Sequence, residues 1–244
     1  MMRTDIDVTR DLARHIDGWL YDREGELLYH TAKNCTGRGV IVEIGSWKGK
    51  STSWLGRGSK QGKGVKIYAI DPHIGSHEHQ ADGRVWTFEE FKQNIRASGV
   101  DDIVIPLVKT SENASKEVLE PVEFVFIDGA HEYEFVKLDF DLWFPKVIDG
   151  GTIAFHDTIG WIGPRRVVLQ QVARSRNFRK MRFVHSITIA EKVLQNTRSD
   201  RIRNRYVILL KNLYETIHNQ NPPRIVRRFF IHLFGFLQGA GSSH

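Results

Sequence analysis

Short apolar runs alternate with segments of helical periodicity along most of the chain. Val40–Ile44 is apolar except for Glu43 and ends at Gly45. Similar runs at 65–71, 104–108, 122–127 and 152–155 end at or near a polar or acidic residue. Each reads as a buried strand. Between them lie helical patterns. One starts at Ser51 and is expected to end near Gly56 to Gly58. One covers 86–97, with Phe88, Phe91 and Ile95 on one face, and others cover 114–119 and 133–144. Residues 165–174 read as a helix, and 179–185 and 187–193 as two final strands at an antiparallel edge. Ahead of the first strand, Val8, Leu12 and Ile16 mark a short amphipathic helix within 1–18, and 26–33 reads as a second helix. Strands alternating with helices predict a doubly wound, mostly parallel sheet.

The C-terminal part reads differently. Ile202, Tyr206, Leu209, Leu213 and Ile217 form a helical stripe preceded by Arg198, Arg201, Arg203 and Arg205. Pro222-Pro223 would end that helix. Residues 224–237 are basic and then Phe-rich, too short to span a bilayer. Such a stretch suits a membrane interface or a partner surface, so a peripheral membrane contact through 224–237 is one expectation. Docking on the core or on a second copy is another. The expected division is 1–197 as the main domain and 198–244 as a basic helical extension.

Charge follows that division. Residues 174–228 hold 14 Lys/Arg and three Asp/Glu, whereas the rest holds 21 and 26. The basic surface therefore belongs to the C-terminal part and suits an acidic partner. Few aromatics accompany these arginines and no binding module is visible, so no nucleic-acid partner is expected. The single cysteine, Cys35, excludes an intramolecular disulfide. With a polar start, Met1-Met2-Arg3-Thr4-Asp5, and no long apolar run, a cytoplasmic protein is expected, with the inner membrane face as an associated location.

The chemistry concentrates at strand ends. After Val40–Ile44 come Gly45-Ser46-Trp47-Lys48-Gly49-Lys50-Ser51-Thr52. Gly45 and Gly49 allow a sharp turn, and the N–H groups at the helix start favour polar or anionic ligand groups. A P-loop would need its first glycine at Ile44, and Ser46 and Trp47 break a dinucleotide fingerprint. An acidic residue, a spacer and glycine, as in Glu43-Ile44-Gly45, instead match the turn that holds S-adenosylmethionine (SAM). Asp71 ends the second strand, where a carboxylate can accept hydrogen bonds from a ribose diol. Asp128 ends the fourth strand, with His131 three residues on, and His156-Asp157 follow the fifth. In an open parallel sheet, Glu43, Asp71, Asp128 and Asp157 would converge on one crevice. The polar loop 73–85 holds His73, His77 and His79, but no Cys or Glu completes a metal set, and a substrate lid is the better reading. Gly160-Trp161 follows the fifth strand and could wall the substrate pocket.

These stretches, Val42 to Thr52, Ala69-Ile70-Asp71-Pro72, Phe126 to Tyr133 and Gly150 to Thr158, resemble a class I SAM-dependent methyltransferase of the methyltransferase-24 family. The likeness covers roughly 15–193. The family is similar to catechol-type and sugar O-methyltransferases. The resemblance implies a seven-stranded Rossmann-like fold with SAM as cofactor and a small-molecule hydroxyl acceptor (sugar, glycolipid or secondary metabolite). It implies cofactor contacts from Glu43, Gly45, Ser46, Gly49, Ser51, Asp71, Ser111 and Asp128. Asp128 matches an acid that binds Mg²⁺ in metal-dependent relatives, which gives Asp128, Asp157 and His156 as a candidate metal set. His156 departs from the oxygen ligands a hard cation prefers. Where catechol-type relatives carry a catalytic lysine, this chain has His131.

Removing a proton from a hydroxyl needs a base active near neutral pH, and His131 is the first candidate. Asp157 or His156 is the alternative, and a metal on Asp128 and Asp157 would lower the hydroxyl pKa instead. Asp128, His131 and Asp157 are thus the expected catalytic residues. A homo-oligomer is also expected. The other class considered is a catalytically silent methyltransferase-like binding protein, attached to a membrane or a complex through its C-terminus.

Overall fold

The structure is a computed structural model that describes residues 3–75, 85–220, 230, 233–235 and 237–238. His77 and His79 of the polar loop, and most of 224–237, lie outside the described residues.

Seven strands form one sheet: β1 Val40–Ile44, β2 Ile67–Ile70, β3 Val104–Leu107, β4 Val122–Ile127, β5 Val147–Phe155, β6 Phe178–Val184 and β7 Ile187–Lys192. Their order is β3-β2-β1-β4-β5-β7-β6. The first five are parallel, and β7 runs antiparallel to both β5 and β6. This is the doubly wound, mostly parallel architecture expected from the alternation. The strand order reverses between β1 and β4, the place where such sheets open a ligand crevice.

The near-continuous apolar character of the strands follows from burial on both faces. Ile41, Phe124, Phe126 and Ala154 point to one side. There they meet Ala13 of α1 (Asp5–Arg14), Leu27 and Leu28 of α2 (Asp22–Lys33), Trp54 of α3 (Lys50–Lys60) and Phe91 of α4 (Phe88–Ala97). Val42, Ile44, Val125, Ile127 and Phe155 point to the other. That side is covered by α5 (Ser111–Glu117), α6 (Tyr133–Trp143), α7 (Ile162–Val167, continued by one π-turn segment, Val168–Ala173) and α8 (Arg198–Asn219). Adjacent residues choosing opposite faces is the two-residue period of a strand.

Several boundaries differ from the sequence expectation. α3 runs through Gly56 and Gly58 to Lys60. These glycines are packing sites: a Cβ at Gly58 would lie 2.2 Å from the Tyr29 carbonyl oxygen, and one at Gly56 2.6 Å from Val100. α2 begins at Asp22, ahead of the expected start, because Glu24 caps it by accepting from the Tyr21 N–H at 2.9 Å. β5 starts at Val147 and carries Gly150-Gly151 inside it, where the register with β4 shifts. The two glycines form an irregularity within the strand, not a turn ahead of it.

α8 buries Val207, Leu210 and Tyr214 against Phe178 and Phe183 of β6. Ile202, Leu209 and Leu213 on its other side are exposed. Most of the stripe read from the sequence, Ile202, Tyr206, Leu209 and Leu213, is thus the outward face, and Val207, Leu210 and Tyr214 form the face packed on the sheet edge. Among the described residues, no helix is long and apolar enough to cross a membrane.

Candidate active site

The turn after β1 is built by contact with β4. Gly45 has φ 85°, and a Cβ there would lie 2.0 Å from the Asp128 carbonyl oxygen. Only glycine lets the two central strands end this close together. Trp47 also has positive φ, 47°. Its N–H donates to Asp71 Oδ2 at 2.7 Å, while Asp71 Oδ1 accepts from the His73 N–H at 2.6 Å. Asp71 therefore fastens the β1 turn to the end of β2 with both oxygens, each of which retains a second lone pair.

Glu43 is fully buried beneath this turn. Its Oε2 accepts from Thr52 Oγ1 at 2.5 Å, whereas Oε1 has no hydrogen-bond partner. Burial pushes its pKa up to about 8, with nearby Asp128 and Asp71 adding to the rise and the Ser51 and Thr52 hydroxyls opposing it. Ser46 Oγ is likewise buried without a partner. Gly49 caps α3 in the left-handed conformation with no side-chain cap, and Ser51 is buried in the first turn. On the far side of the turn, Ser111 opens α5 and accepts from Trp143 Nε1 at 2.9 Å. Beside it, burial raises the Asp139 carboxyl to about 6, against the pull of Ser111.

The second group sits at the ends of β4 and β5. His156, almost wholly buried, places Nδ1 2.9 Å from Asp128 Oδ1 and 3.0 Å from Asp157 Oδ2. Its Nε2 lies 3.4 Å from Glu24 Oε2. Burial alone would lower its pKa, but Asp128, Asp157 and Glu24 together hold it well above the usual histidine value. These carboxylates favour the protonated form of the ring. Burial also favours neutral Asp128 and wins there, despite His156. At Asp157 the hydrogen bonds from His131 and His156 overcome burial and hold the carboxyl well below its usual range. Asp157 Oδ2 lies 3.0 Å from His131 Nε2, and the His131 ring stacks on Trp161 with centroids 4.1 Å apart. Asp157 itself adopts φ 51°, an unusual conformation for a non-glycine residue and one that recurs at functional sites.

The metal set expected from the sequence takes a different form here. His156 has both ring nitrogens facing carboxylates, so a protonated ring offers no lone pair to a metal. Among the described residues, Asp128, His131 and Asp157 are the groups whose ligand atoms lie within 4.8 Å of one another. Two carboxylates already bonded to an imidazolium, plus a nitrogen donor, suit Mg²⁺ poorly, since it prefers octahedral oxygen ligands.

Glu24 was not singled out by the sequence. It precedes the helix expected at 26–33, and nothing local signals its reach to His156, 132 residues away. The same holds for Ser186, whose N–H and hydroxyl donate to Glu24 Oε1 at 2.8 and 2.7 Å. Asp157 and His156 open onto a groove of about 530 Å³ that is also lined by Trp19, Tyr21, His185 and Tyr214.

Comparison with known proteins agrees with the fold. The methyltransferase-24 family model, described as a methyltransferase domain, matches residues 42–158. A mimivirus protein (Acanthamoeba polyphaga mimivirus), named uncharacterized protein R132, is 28% identical over 155 residues, 59% of this chain. The chain spans 65% of that relative's length. Cofactor-bound Rv0187 from MTB superposes with a TM-score of 0.56 at 19% identity, covering 78% of this chain and 88% of that one. The O-methyltransferase TomG from Streptomyces achromogenes, solved with SAM, gives 0.54 at 16%, covering 79% and 91%. Residues 42–158 thus carry a methyltransferase domain of the methyltransferase-24 family, set in a seven-stranded sheet in the order β3-β2-β1-β4-β5-β7-β6.

Proposed function

We propose that this protein transfers a methyl group from SAM to a hydroxyl of a small molecule. The observation that carries the reading is the Asp128, His131, Asp157 and His156 cluster. It stands beside the Glu43, Gly45 and Asp71 turn, and its His156 and Asp157 line a groove. The turn fits the cofactor. Two buried polar atoms there, Glu43 Oε1 and Ser46 Oγ, lack partners, which natural interiors rarely allow without a ligand or water. Glu43, Ser46 and Gly49 would hold the amino-acid end, Asp71 the ribose and Ser111 the adenine side. When bound, SAM supplies an electrophilic methyl on a sulfonium, and the protein supplies position and charge.

The chain's own residues then have separable roles. Asp157 accepts from His131 Nε2, which fixes the tautomer with its lone pair on Nδ1. His131 takes the acceptor's hydroxyl proton as general base. Trp161 holds the imidazole plane by stacking. His156 neutralises the carboxylates, a role that a metal fills in other sites. No step requires Mg²⁺.

Calorimetric titration with SAM and S-adenosylhomocysteine tests the first half. Micromolar binding is expected, and Asp71→Ala is expected to abolish it. Unchanged affinity in that variant would remove Asp71 from the cofactor site. A second reading, a silent binding protein held to a membrane through its C-terminus, is favoured by the exposed Ile202, Leu209 and Leu213 stripe. It predicts that liposome binding is lost when residues 222–244 are deleted, with no methyl transfer to any acceptor.

A further inference from the structure

We propose that His156 is a built-in cation that keeps a divalent metal out of the Asp128, His131 and Asp157 cluster, and that Glu24 is the positioning residue that holds it there. This rests on the methyl-transfer reading only for the purpose the cluster serves, and goes beyond it in giving Glu24 a role.

Asp128, His131 and Asp157 bring ligand atoms within 4.8 Å of one another. Two carboxylates and an imidazole make a donor set that a cation such as Mn²⁺ accepts. His156 stands in the way. Its Nδ1 lies 2.9 Å from Asp128 Oδ1 and 3.0 Å from Asp157 Oδ2, so a single ring nitrogen engages both acids. A metal drawing on the same acids would sit beside a positive ring, and like charges that close repel. The ring is almost wholly buried, so it has no solvent to turn toward.

The positive charge follows from what faces the ring. A neutral imidazole has one N–H and one bare lone pair. Here carboxylates face both nitrogens, since Glu24 Oε2 lies 3.4 Å from Nε2. A bare lone pair at either nitrogen would point at a carboxylate oxygen, whereas an N–H at each pairs with one.

Glu24 is built for more than capping. The cap needs only the Tyr21 N–H, which Oε2 accepts at 2.9 Å and which an exposed side chain could satisfy. Glu24 is instead fully buried, a costly place for a carboxylate unless it is paired. Its Oε1 accepts from the Ser186 N–H and hydroxyl at 2.8 and 2.7 Å, in the turn between β6 and β7. Burial works against its ionised form, but His156, Tyr21 and Ser186 outweigh burial and lower its pKa. Alternating charges thus run from Glu24 through His156 to Asp157, whose Oδ2 also lies 3.0 Å from His131 Nε2.

The test titrates Mn²⁺, followed by its EPR signal, into the wild type, His156→Asn and Glu24→Gln. SAM calorimetry and thermal unfolding are run on each. The wild type should bind Mn²⁺ no more tightly than about 1 mM. His156→Asn removes the cation and should gain Mn²⁺ affinity at least about tenfold. Glu24→Gln should gain roughly three- to tenfold, because a ring without its rear carboxylate yields the acids more readily. A folded Glu24→Gln with unchanged Mn²⁺ affinity and a lowered melting temperature would reduce Glu24 to a helix cap and overturn its positioning role. Submillimolar Mn²⁺ binding by the wild type would overturn the built-in cation whether or not a variant folds. So would a folded His156→Asn that gains no affinity. Failure of the wild type to bind SAM would instead strike the methyl-transfer reading, and the Mn²⁺ results would still decide the charge assignment.

Discussion

Glu43→Gln isolates the buried carboxyl beneath the β1 turn. Glu43 has no exposure, one oxygen bonded to Thr52 and one without a partner. Its pKa stands at about 8 against 4.5 for a free glutamate, chiefly through burial. A raised acid binds its proton more tightly in the folded state. Its stabilising contribution is therefore complete below about pH 4.5 and is lost as pH rises through about 8. At about 1.4 kcal/mol per unit, the loss across that window is roughly 4–5 kcal/mol as an order of magnitude. Glutamine keeps the shape and an acceptor for Thr52 but cannot ionise. Urea unfolding of both proteins from pH 5 to pH 9 gives the difference directly. Other titrating groups, including Lys211 with its opposite slope, largely cancel in that difference. The variant should match the wild type near pH 5 and exceed it by several kcal/mol near pH 9. A difference that stays flat within about 1 kcal/mol would refute a neutral, buried Glu43.

Gly45→Ala should destabilise the fold by roughly 3 kcal/mol or more, since the methyl meets the Asp128 carbonyl at 2.0 Å and φ is 85°; the shift in urea midpoint measures it. Lys211, on α8, is buried and its pKa is pulled down to about 7 by burial, with Glu215 opposing. The cost of charging it is complete below about pH 7 and shrinks as pH rises toward 10.5. Lys211→Met should therefore raise thermal stability by roughly 2–4 kcal/mol at pH 6 and by less at pH 9; an equal or larger gain at pH 9 would contradict a buried, easily neutralised lysine. His131→Asn should lower kcat by about 10²- to 10⁴-fold while the calorimetric Kd for SAM holds, and a proportional loss of SAM binding would show that His131 serves the fold instead.

Much of the frame was legible because it rests on local rules. Apolar runs buried on both faces set the strands, and a glycine or an acid marked their ends. The helix boundaries were less legible. Gly56 and Gly58 look like stop signals in the sequence, but the close approach of Tyr29 and Val100 makes them contacts inside a helix. Gly150-Gly151 likewise became part of β5, because the strand pairing absorbs the irregularity.

The residues of the site divide in the same way. Asp71, Asp128, His131 and Asp157 stand out in the sequence because each lies at a strand's carboxyl end, and a parallel sheet gathers those ends. Glu24, Ser186, His185 and Tyr214 carry no such mark. Glu24 lies ahead of the helix read at 26–33, Tyr214 lies off the stripe read along the C-terminal helix, and His185 falls at the end of a predicted strand. Sequence by itself determined which strand ends carry acidic and histidine side chains. The tertiary structure alone decided that α2 supplies the carboxylate behind His156 and that α8 walls the groove. Such contacts join residues far apart in the chain, and no local periodicity encodes which distant surfaces will meet.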